Sequence, residues 1–300
     1  MRYLLAVCLM LAFSRTALAQ EDAPLETRLR ALAATHQGNV TLYALDVRTK
    51  KTVAISADSP VPTASIIKLT VLFEALKQIQ SGRVHFDDEL TLLKSDQVPG
   101  SGVFTLFDTP QTLTLKDALT MMVVVSDNTA TNLVIDHLGL ANIDRRIQWI
   151  GLRNTWLYKK VFMPPIGRAP TDQKRFGLGK TTAREMAAVM RRFATCDLNA
   201  PGSSGQPNES DRTLCDAALS MLKNQSDRTG IPRYLGDLTV ANKTGALDDV
   251  RNDVGVVYAR NGPVIIAEFT TNNKDQSWSV DNSAQVLMAA LAKAIIDRWQ

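Results

Sequence analysis

Metal-binding and redox-active side chains are scarce in this sequence. It contains three cysteines and three histidines in 300 residues. His36, His85 and His137 stand far apart, without the short spacings that zinc sites use. No Cys-x-x-Cys pair occurs. We therefore expect no metal and no cofactor, and we expect the histidines to be ordinary surface or packing residues.

Long apolar runs are also rare, and the one that occurs is N-terminal. Arg2 precedes an apolar run from Tyr3 to Phe13, and Ala17-Leu18-Ala19 follows as a small-residue cleavage site. This pattern predicts a signal peptide over residues 1–19. The run is too short for a permanent membrane span. We expect a periplasmic or secreted protein without stable membrane insertion.

Charge of one sign is not concentrated anywhere. The formal net charge of +4 falls to +2 when Arg2 and Arg15 leave with the signal peptide. The sequence has no stripe of basic residues and no aromatic platform of the kind that nucleic-acid binding needs, so we expect no nucleic-acid partner. Because 45% of the residues are hydrophobic and 21% are charged, a folded protein with a large core is expected. We expect it to be a monomer.

Two cysteines remain once Cys8 is removed with the signal peptide. An even pair in an exported protein predicts a disulfide between Cys196 and Cys215. The segment between them is rich in Gly, Ser, Pro and Asn, which is typical of a surface loop. The bond would then be structural, and free reactive thiols are the alternative.

The first chemical motif is Ser65-Ile66-Ile67-Lys68. Apolar residues at helical spacing and a stop at Gly82 predict a helix over residues 63–82. Residues three apart share a helical face, so the Lys68 amine can reach the Ser65 hydroxyl. Burial favours the neutral amine, which accepts a proton. A second match, Ser220 to Lys223, is expected to be a solvated helical face.

Two further motifs follow in the chain. Ser126-Asp127-Asn128 stands between two helical patterns, where polar side chains can face a cleft, although a helix cap is the simpler interpretation. Lys243-Thr244-Gly245 comes after a strand pattern that begins at Leu238. A Lys-Thr pair at a strand end can hold a carboxylate, and Gly lets a ligand approach the backbone. An ordinary exit from the strand is the alternative.

The three motifs in this order resemble the penicillin-recognising serine hydrolases, most closely the class A serine β-lactamases. The resemblance implies an α+β fold, an α/β sandwich in which helices flank an antiparallel sheet, plus a mostly helical domain. The α/β domain would comprise residues 20–58 and 226–300. The helical domain, with Ser65 and the Ser126 turn, would comprise residues 59–225.

The resemblance also implies roles for these residues. Ser65 would be the acylated nucleophile, Lys68 a proton acceptor, and Ser126 a proton relay to the leaving nitrogen. The backbone N–H groups of Ser65 and Ala246 would form the oxyanion hole. Arg251 could add positive charge near the substrate carboxylate, and a surface ion pair in the loop of residues 248–251 is the alternative. The substrate-binding residues would be Asn128, Lys243, Thr244, Gly245 and Ala246.

One departure from the family concerns the loop after the second motif. Class A β-lactamases carry there a glutamate that activates the deacylating water. Residues 162–179 contain no glutamate, and their only acid is Asp172. Asp172 could act as the base, and a simple turn residue is the alternative.

The sequence therefore predicts an exported serine hydrolase that opens β-lactam rings through an acyl-enzyme, with deacylation left open. A D-alanyl-D-alanine peptidase or esterase is the first alternative, because its acyl-enzyme would not need the missing glutamate. A penicillin-binding protein that acylates without turnover is the second.

Overall fold

The computed structural model describes residues 20–165, 171–203 and 205–300; the signal peptide predicted for residues 1–19 lies outside them. The fold is α+β, as predicted. The strands are β1 Gln20–Glu21, β2 Asn39–Asp46, β3 Lys51–Ile55, β4 Val61–Pro62, β5 Glu89–Leu92, β6 Gln111–Thr114, β7 Trp156–Leu157, β8 Gly179–Thr181, β9 Val240–Leu247, β10 Val250–Ala259 and β11 Gly262–Thr271. The α-helices are α1 Ala23–Ala33, α2 Lys68–Gln80, α3 Leu115–Val124, α4 Asn128–Leu138, α5 Leu140–Trp149, α6 Gln173–Phe176, α7 Ala183–Ala194, α8 Glu209–Lys223 and α9 Ser283–Trp299.

The main sheet has the strand order β1-β3-β2-β11-β10-β9. Its neighbouring strands are antiparallel, as predicted, except that the short β1 runs parallel to β3. The sequence Arg260-Asn261-Gly262-Pro263 predicts a hairpin turn, and Ala259 pairs with Gly262, so the hairpin closes through a two-residue turn. Strand β9 forms one edge of this sheet and carries the third motif.

Helices cover both faces of the main sheet because successive apolar side chains of its strands point to opposite faces. On β11, Val264 and Ile266 pack into a cluster with residues of α1 and α9. Ile265 and Phe269 point the other way, into a larger cluster with residues of α2, α7 and α8. The period of two in a strand therefore gives the sandwich that the sequence predicts.

Local sequence signals predict most of these helix ends closely. Residues 114–117 have the pattern of a capping box, and Thr114 and Asp117 form that box at the start of α3. The amphipathic pattern predicts a last helix over residues 283–299, which are the bounds of α9, and Asn282 caps it. The apolar pattern of the first helix begins at Leu25, but Asp22 accepts a hydrogen bond from Leu25 N at 3.3 Å, so α1 begins two residues earlier.

Cys196 and Cys215 form the predicted disulfide, which joins the residues just after α7 to α8. The second Ser-x-x-Lys match lies at the end of α8, where Ser220 and Lys223 are exposed. It is therefore a solvated helical face, as expected.

The main sheet draws its strands from residues 20–55 and 240–271, and helices α2 to α8 come from the chain between them. The division into an α/β domain and a helical domain, with the boundaries given above, stays a prediction. Strand β9 contacts the turn that carries Ser65. The third motif thus meets the first where the edge of the sheet touches the helices.

Candidate active site

Ser65 lies in a 3₁₀ helix, Ala64–Ile67, that leads directly into α2. The predicted helix therefore begins with a tighter turn, and its α-helical part starts at Lys68. Ala64 has a φ of 43°, a strained value for a residue with a Cβ. Ser65 is half-buried and lines a cleft of about 450 Å³. The Ser65 side chain is therefore accessible to a ligand in the cleft.

Lys68 is fully buried, with 0% of its surface exposed. Its Nζ donates to Ser126 O at 2.7 Å and to Asn128 Oδ1 at 3.0 Å, and lies 3.1 Å from Ser126 Oγ. Burial lowers the pKa of Lys68 well below 10.5, and the positive charge of Lys243 lowers it further. The structure thus favours a neutral amine, held against the second motif.

The second motif occupies the turn between α3 and α4, as predicted. Ser126 has a φ of 56°. Asn128 is buried; its Nδ2 donates to Pro99 O at 3.0 Å, and its Oδ1 accepts from Lys68. The turn therefore presents one hydroxyl and one amide beside the lysine.

Asp127 has two structural roles, and only the first, the capping of a helix, is predicted from the sequence. Its carboxylate accepts from Ala130 N at 2.8 Å, which caps α4. It also accepts from Val103 N at 2.6 Å and Phe104 N at 2.8 Å. Helix capping was the simpler interpretation of this motif, and it is confirmed for Asp127. The same carboxylate also fixes the neighbouring loop against the turn.

The third motif lies inside β9, and the prediction that it follows the end of a strand is wrong. The strand pattern ends near Ala241 because Asn242, Lys243 and Gly245 have low strand propensity. Pairing with β10 nevertheless continues to Leu247. Tertiary pairing therefore overrides propensity here.

Lys243 is also fully buried, and its Nζ donates to Thr244 O at 2.8 Å. Burial lowers the pKa of Lys243 to about 7, against the opposing effect of Asp253. A cation with this pKa can bind a carboxylate at neutral pH, and bound negative charge would raise its pKa again.

Gly245 allows β9 to pack directly on the Ser65 turn. A Cβ at this position would lie 3.0 Å from both Ser65 N and Thr63 O, closer than ordinary packing permits. Ala246, the next residue, lines the cleft together with Ser65. On an edge strand, alternate N–H groups have no partner strand on the open side.

Asp172, the candidate base, has both carboxylate oxygens occupied. Tyr158 OH donates to Oδ1 at 2.8 Å, and the Lys180 amine forms an ion pair with Oδ2. The hydrogen bond from Lys180 lowers the pKa of Asp172. Asp172 precedes α6 and is not among the described residues that line the Ser65 cleft.

Arg251 lies in β10 and is 2% exposed, which excludes the surface ion pair considered for it. Its Nη1 donates to Leu247 O and to Val250 O, the latter at 2.8 Å, and its Nη2 donates to Ser277 O at 2.7 Å. The guanidinium also lies 4.5 Å from the Trp278 ring centroid. It therefore joins two segments at the edge of the cleft.

Several residues that line the cleft could not be predicted from the sequence because they belong to no motif. The loop after β7 contributes Lys159, Val161 and Phe162, the turn after β9 contributes Asp248, and the segment before α9 contributes Trp278. A larger cavity of about 670 Å³ lies beyond Leu247, but none of the residues that line it belongs to the three motifs. The chemistry therefore identifies the smaller cleft as the site.

A hydroxyl open to this cleft, a buried amine with a lowered pKa, a second hydroxyl and a second buried cation are the parts of an acyl-transfer site. Comparison with known proteins agrees with this chemistry. A sequence model described as the beta-lactamase enzyme family matches residues 24–299. The beta-lactamase of Streptomyces fradiae is 26% identical, over 92% of this chain and 86% of the relative.

Other relatives are similar over nearly the whole chain. The beta-lactamase regulatory protein BlaB of Streptomyces cacaoi is 25% identical, over 91% of this chain and 97% of the relative. A beta-lactamase structure from Sphaerobacter thermophilus has a TM-score of 0.77 at 24% identity, covering 92% of this chain and 97% of that one. A glutamate variant of PBP-A, an acyl-enzyme complex with penicillin G, has a TM-score of 0.77 at 23% identity, with coverages of 93% and 97%.

Proposed function

Since this chain belongs to the beta-lactamase enzyme family, we propose that it opens β-lactam rings through an acyl-enzyme formed on Ser65. Ser65 Oγ attacks the ring carbonyl, a C–O bond forms, and the amide C–N bond breaks. The observation that carries this proposal is the fully buried Lys68 amine one helical turn from Ser65.

The proton of Ser65 would pass to Lys68 and then, through Ser126, to the leaving nitrogen. A neutral amine has two N–H groups and one lone pair. Its two N–H bonds to Ser126 O and Asn128 Oδ1 leave the lone pair for a hydroxyl. Ser126 Oγ at 3.1 Å can exchange a proton with that amine. This distance supports the second transfer, between Lys68 and Ser126, because a proton transfer requires hydrogen-bond contact.

The substrate would be held across the cleft by the second and third motifs. Lys243 and Thr244 would bind its carboxylate, and Asn128 would bind its side-chain amide. The N–H groups of Ser65 and Ala246 would stabilise the oxyanion of the tetrahedral intermediate. The contact between Gly245 and the Ser65 turn supports this arrangement, since it brings Ser65 and Ala246 to the same cleft.

Deacylation is the weak step of this scheme. Among the described residues that line the cleft, Asp248 is the only one with a carboxylate, and it lies on the exposed turn after β9. Asp172 is not among the described lining residues, and its bonds to Lys180 and Tyr158 lower its pKa, which makes it a weaker base. We therefore propose fast acylation followed by slow hydrolysis.

This shortage of a base favours a second candidate function, a D-alanyl-D-alanine peptidase or esterase. A terminal D-alanine carries the carboxylate that Lys243 and Thr244 would bind. Acyl transfer from such a peptide uses the same Ser65, Lys68 and Ser126. A protein that binds penicillin covalently and stops is the third outcome.

Stopped-flow hydrolysis of a chromogenic cephalosporin by the protein without residues 1–19 tests these alternatives. Steady turnover supports the β-lactamase, and release of D-alanine from a peptide supports the peptidase. A burst of one equivalent without turnover supports the trapping protein. Asp172→Asn shows whether turnover needs that carboxylate. Covalent labelling by penicillin that persists in Ser65→Ala would refute the assignment of the nucleophile.

Export is part of the proposal. The predicted signal peptide and the disulfide between Cys196 and Cys215 both support an oxidising compartment outside the cytoplasm. No helix in the described part of the chain has the length and apolarity needed to cross a bilayer. Mass spectrometry of the protein recovered from the periplasm or medium tests the predicted new N-terminus at Gln20.

A further inference from the structure

Three large apolar side chains surround the opening of the Ser65 cleft while remaining exposed to solvent. Phe162 is 61% exposed, Leu247 is 44% exposed and Trp278 is 69% exposed, and all three line the cleft. They come from three segments far apart in the sequence. Single exposed apolar residues are common, but several around one cleft indicate a binding surface. We call these three residues the apolar rim.

Trp278 is exposed, yet the backbone beside it is firmly held. Ser277 O accepts from Arg251 Nη2 at 2.7 Å and from Asn282 Nδ2 at 2.9 Å. Asp275 accepts from Ser277 N at 3.0 Å and from Ser283 N at 2.7 Å. These bonds tie the segment to the start of α9. The Arg251 guanidinium also lies over the indole ring, 4.5 Å from its centroid, so the ring is held in place before a ligand binds.

Leu247 is held by the same guanidinium. Arg251 Nη1 donates to Leu247 O and, at 2.8 Å, to Val250 O. One buried side chain thus joins the turn after β9 to the segment that carries Trp278. A planar guanidinium can make these bonds and stack on the indole simultaneously, which the single ammonium group of lysine cannot do. Arg251 therefore sets the spacing of two members of the apolar rim.

The position of Phe162 is fixed by its strained backbone conformation and by two hydrogen bonds to the backbone of its neighbour, Val161. The φ of Phe162 is 57°, a conformation that bulky residues adopt only when their surroundings impose it. Asn132 holds Val161 on both sides, since Val161 N donates to Asn132 Oδ1 at 2.8 Å and Asn132 Nδ2 donates to Val161 O at 3.0 Å. Gly100 leaves room for the ring, because a Cβ there would lie 3.2 Å from Phe162 Cε2.

We propose that the apolar rim selects substrates that carry an aromatic or bulky apolar substituent beside the reacting carbonyl, and that Arg251 is the positioning residue of this rim. A substituent that enters the cleft would cover apolar surface on all three residues. The proposal rests on the proposed acylation of Ser65. It differs from the carboxylate-binding role expected for Arg251, because the guanidinium acts through Leu247 and Trp278.

The test compares two penicillins that differ only in the side chain, benzylpenicillin and its analogue with a methyl group in place of benzyl. The second-order rate constant of Ser65 acylation is followed by intact-protein mass spectrometry. We expect the native protein to favour the benzyl compound about 10- to 100-fold, the range that burial of a large apolar group supports. Phe162→Ala and Trp278→Ala should each reduce this ratio about 3- to 10-fold.

Tyr234→Ala is the matched control, because Tyr234 is an exposed aromatic residue, at 42%, outside this cleft; it should leave the ratio unchanged. Arg251→Lys keeps the positive charge but loses the planar contacts, so the ratio should fall as in Trp278→Ala. If Arg251 acted only as a charge, Arg251→Lys would preserve the ratio.

The possible failures are distinguishable. Equal acylation by both penicillins in the native protein would overturn the rim proposal and leave the proposed function standing. A ratio that survives both Phe162→Ala and Trp278→Ala would do the same. Absence of any Ser65 adduct with either penicillin would overturn the proposed function, and the rim proposal with it.

Discussion

Replacing Glu268 should stabilise the protein at neutral and alkaline pH. Glu268 lies in β11 and is 0% exposed, and neither carboxylate oxygen has a hydrogen-bond partner among the described residues. Its cross-strand neighbour is Asp253, which is also 0% exposed. Burial raises the pKa of Glu268 well above 4.5, and the negative charge of Asp253 raises it further. The folded protein therefore favours the protonated, neutral form of Glu268.

The sign of the pH effect follows from this raised pKa. In the unfolded chain a glutamate loses its proton near pH 4.3. Above that pH, and up to the higher pKa of the folded state, only the folded protein keeps this proton. The free energy of unfolding therefore falls as pH rises through this window, by up to about 1.4 kcal/mol per pH unit for one proton. The contribution is most favourable below pH 4.3.

Two substitutions separate the two sources of instability. Glu268→Gln removes the titration but keeps buried polar atoms, whereas Glu268→Met removes both. An unpartnered buried polar group costs about 1–3 kcal/mol. We expect Glu268→Met to be about 2–3 kcal/mol more stable than the native protein at pH 8, a rise of several degrees in Tm. The gain from Glu268→Gln should be smaller, and both gains should shrink at pH 5.

The assay is thermal and urea unfolding at pH 5, 6.5 and 8. Glu89→Gln is the control, because Glu89 is an exposed strand glutamate in β5; it should change stability by less than about 0.5 kcal/mol at each pH. The reasoning would be refuted if Glu268→Met were less stable than the native protein at pH 8. It would also fail if stability depended on pH as steeply without Glu268, since another group would then carry the linkage.

Three further predictions concern the site and its support. The rate constant for acylation by a carboxylate-bearing substrate should fall as pH rises through about 7, because Lys243 then loses its charge. Lys243→Arg should move this fall in the pH–rate profile to higher pH. A fall that stays at the same pH would contradict the role of Lys243 in binding the carboxylate. Gly245→Ala should slow acylation at least about 10-fold, because its Cβ would press on the Ser65 backbone. The control Gly205→Ala, where the nearest contact of the new Cβ is an ordinary 3.5 Å, should be acylated at the native rate. Equal acylation rates in the two variants would contradict the packing argument. Replacing Cys196 and Cys215 together by Ser should lower the free energy of unfolding by about 3 kcal/mol, through the greater entropy of the unfolded chain; urea unfolding measures this, and an unchanged midpoint would mean that the bond is not structural.

Some features of this protein follow from the sequence alone because they depend on local spacing. The capping box at Thr114 and Asp117 defines the start of α3, and the apolar pattern after Asn282 defines α9. The order of the three motifs indicates the family and the fold. Such signals act over a few residues, or are short enough to recognise in any context, so no tertiary information is needed.

Other features depend on contacts between residues far apart in the chain. The Lys68 amine lies against Ser126 and Asn128, a direction that its spacing from Ser65 does not reveal. Arg251 looked like part of a surface loop, yet pairing of β10 with its neighbours buries it beneath Trp278. Helix and strand periodicity predict which face of an element is apolar. Only the packed structure decides which side chains from distant segments meet there, and hence which cleft surrounds Ser65.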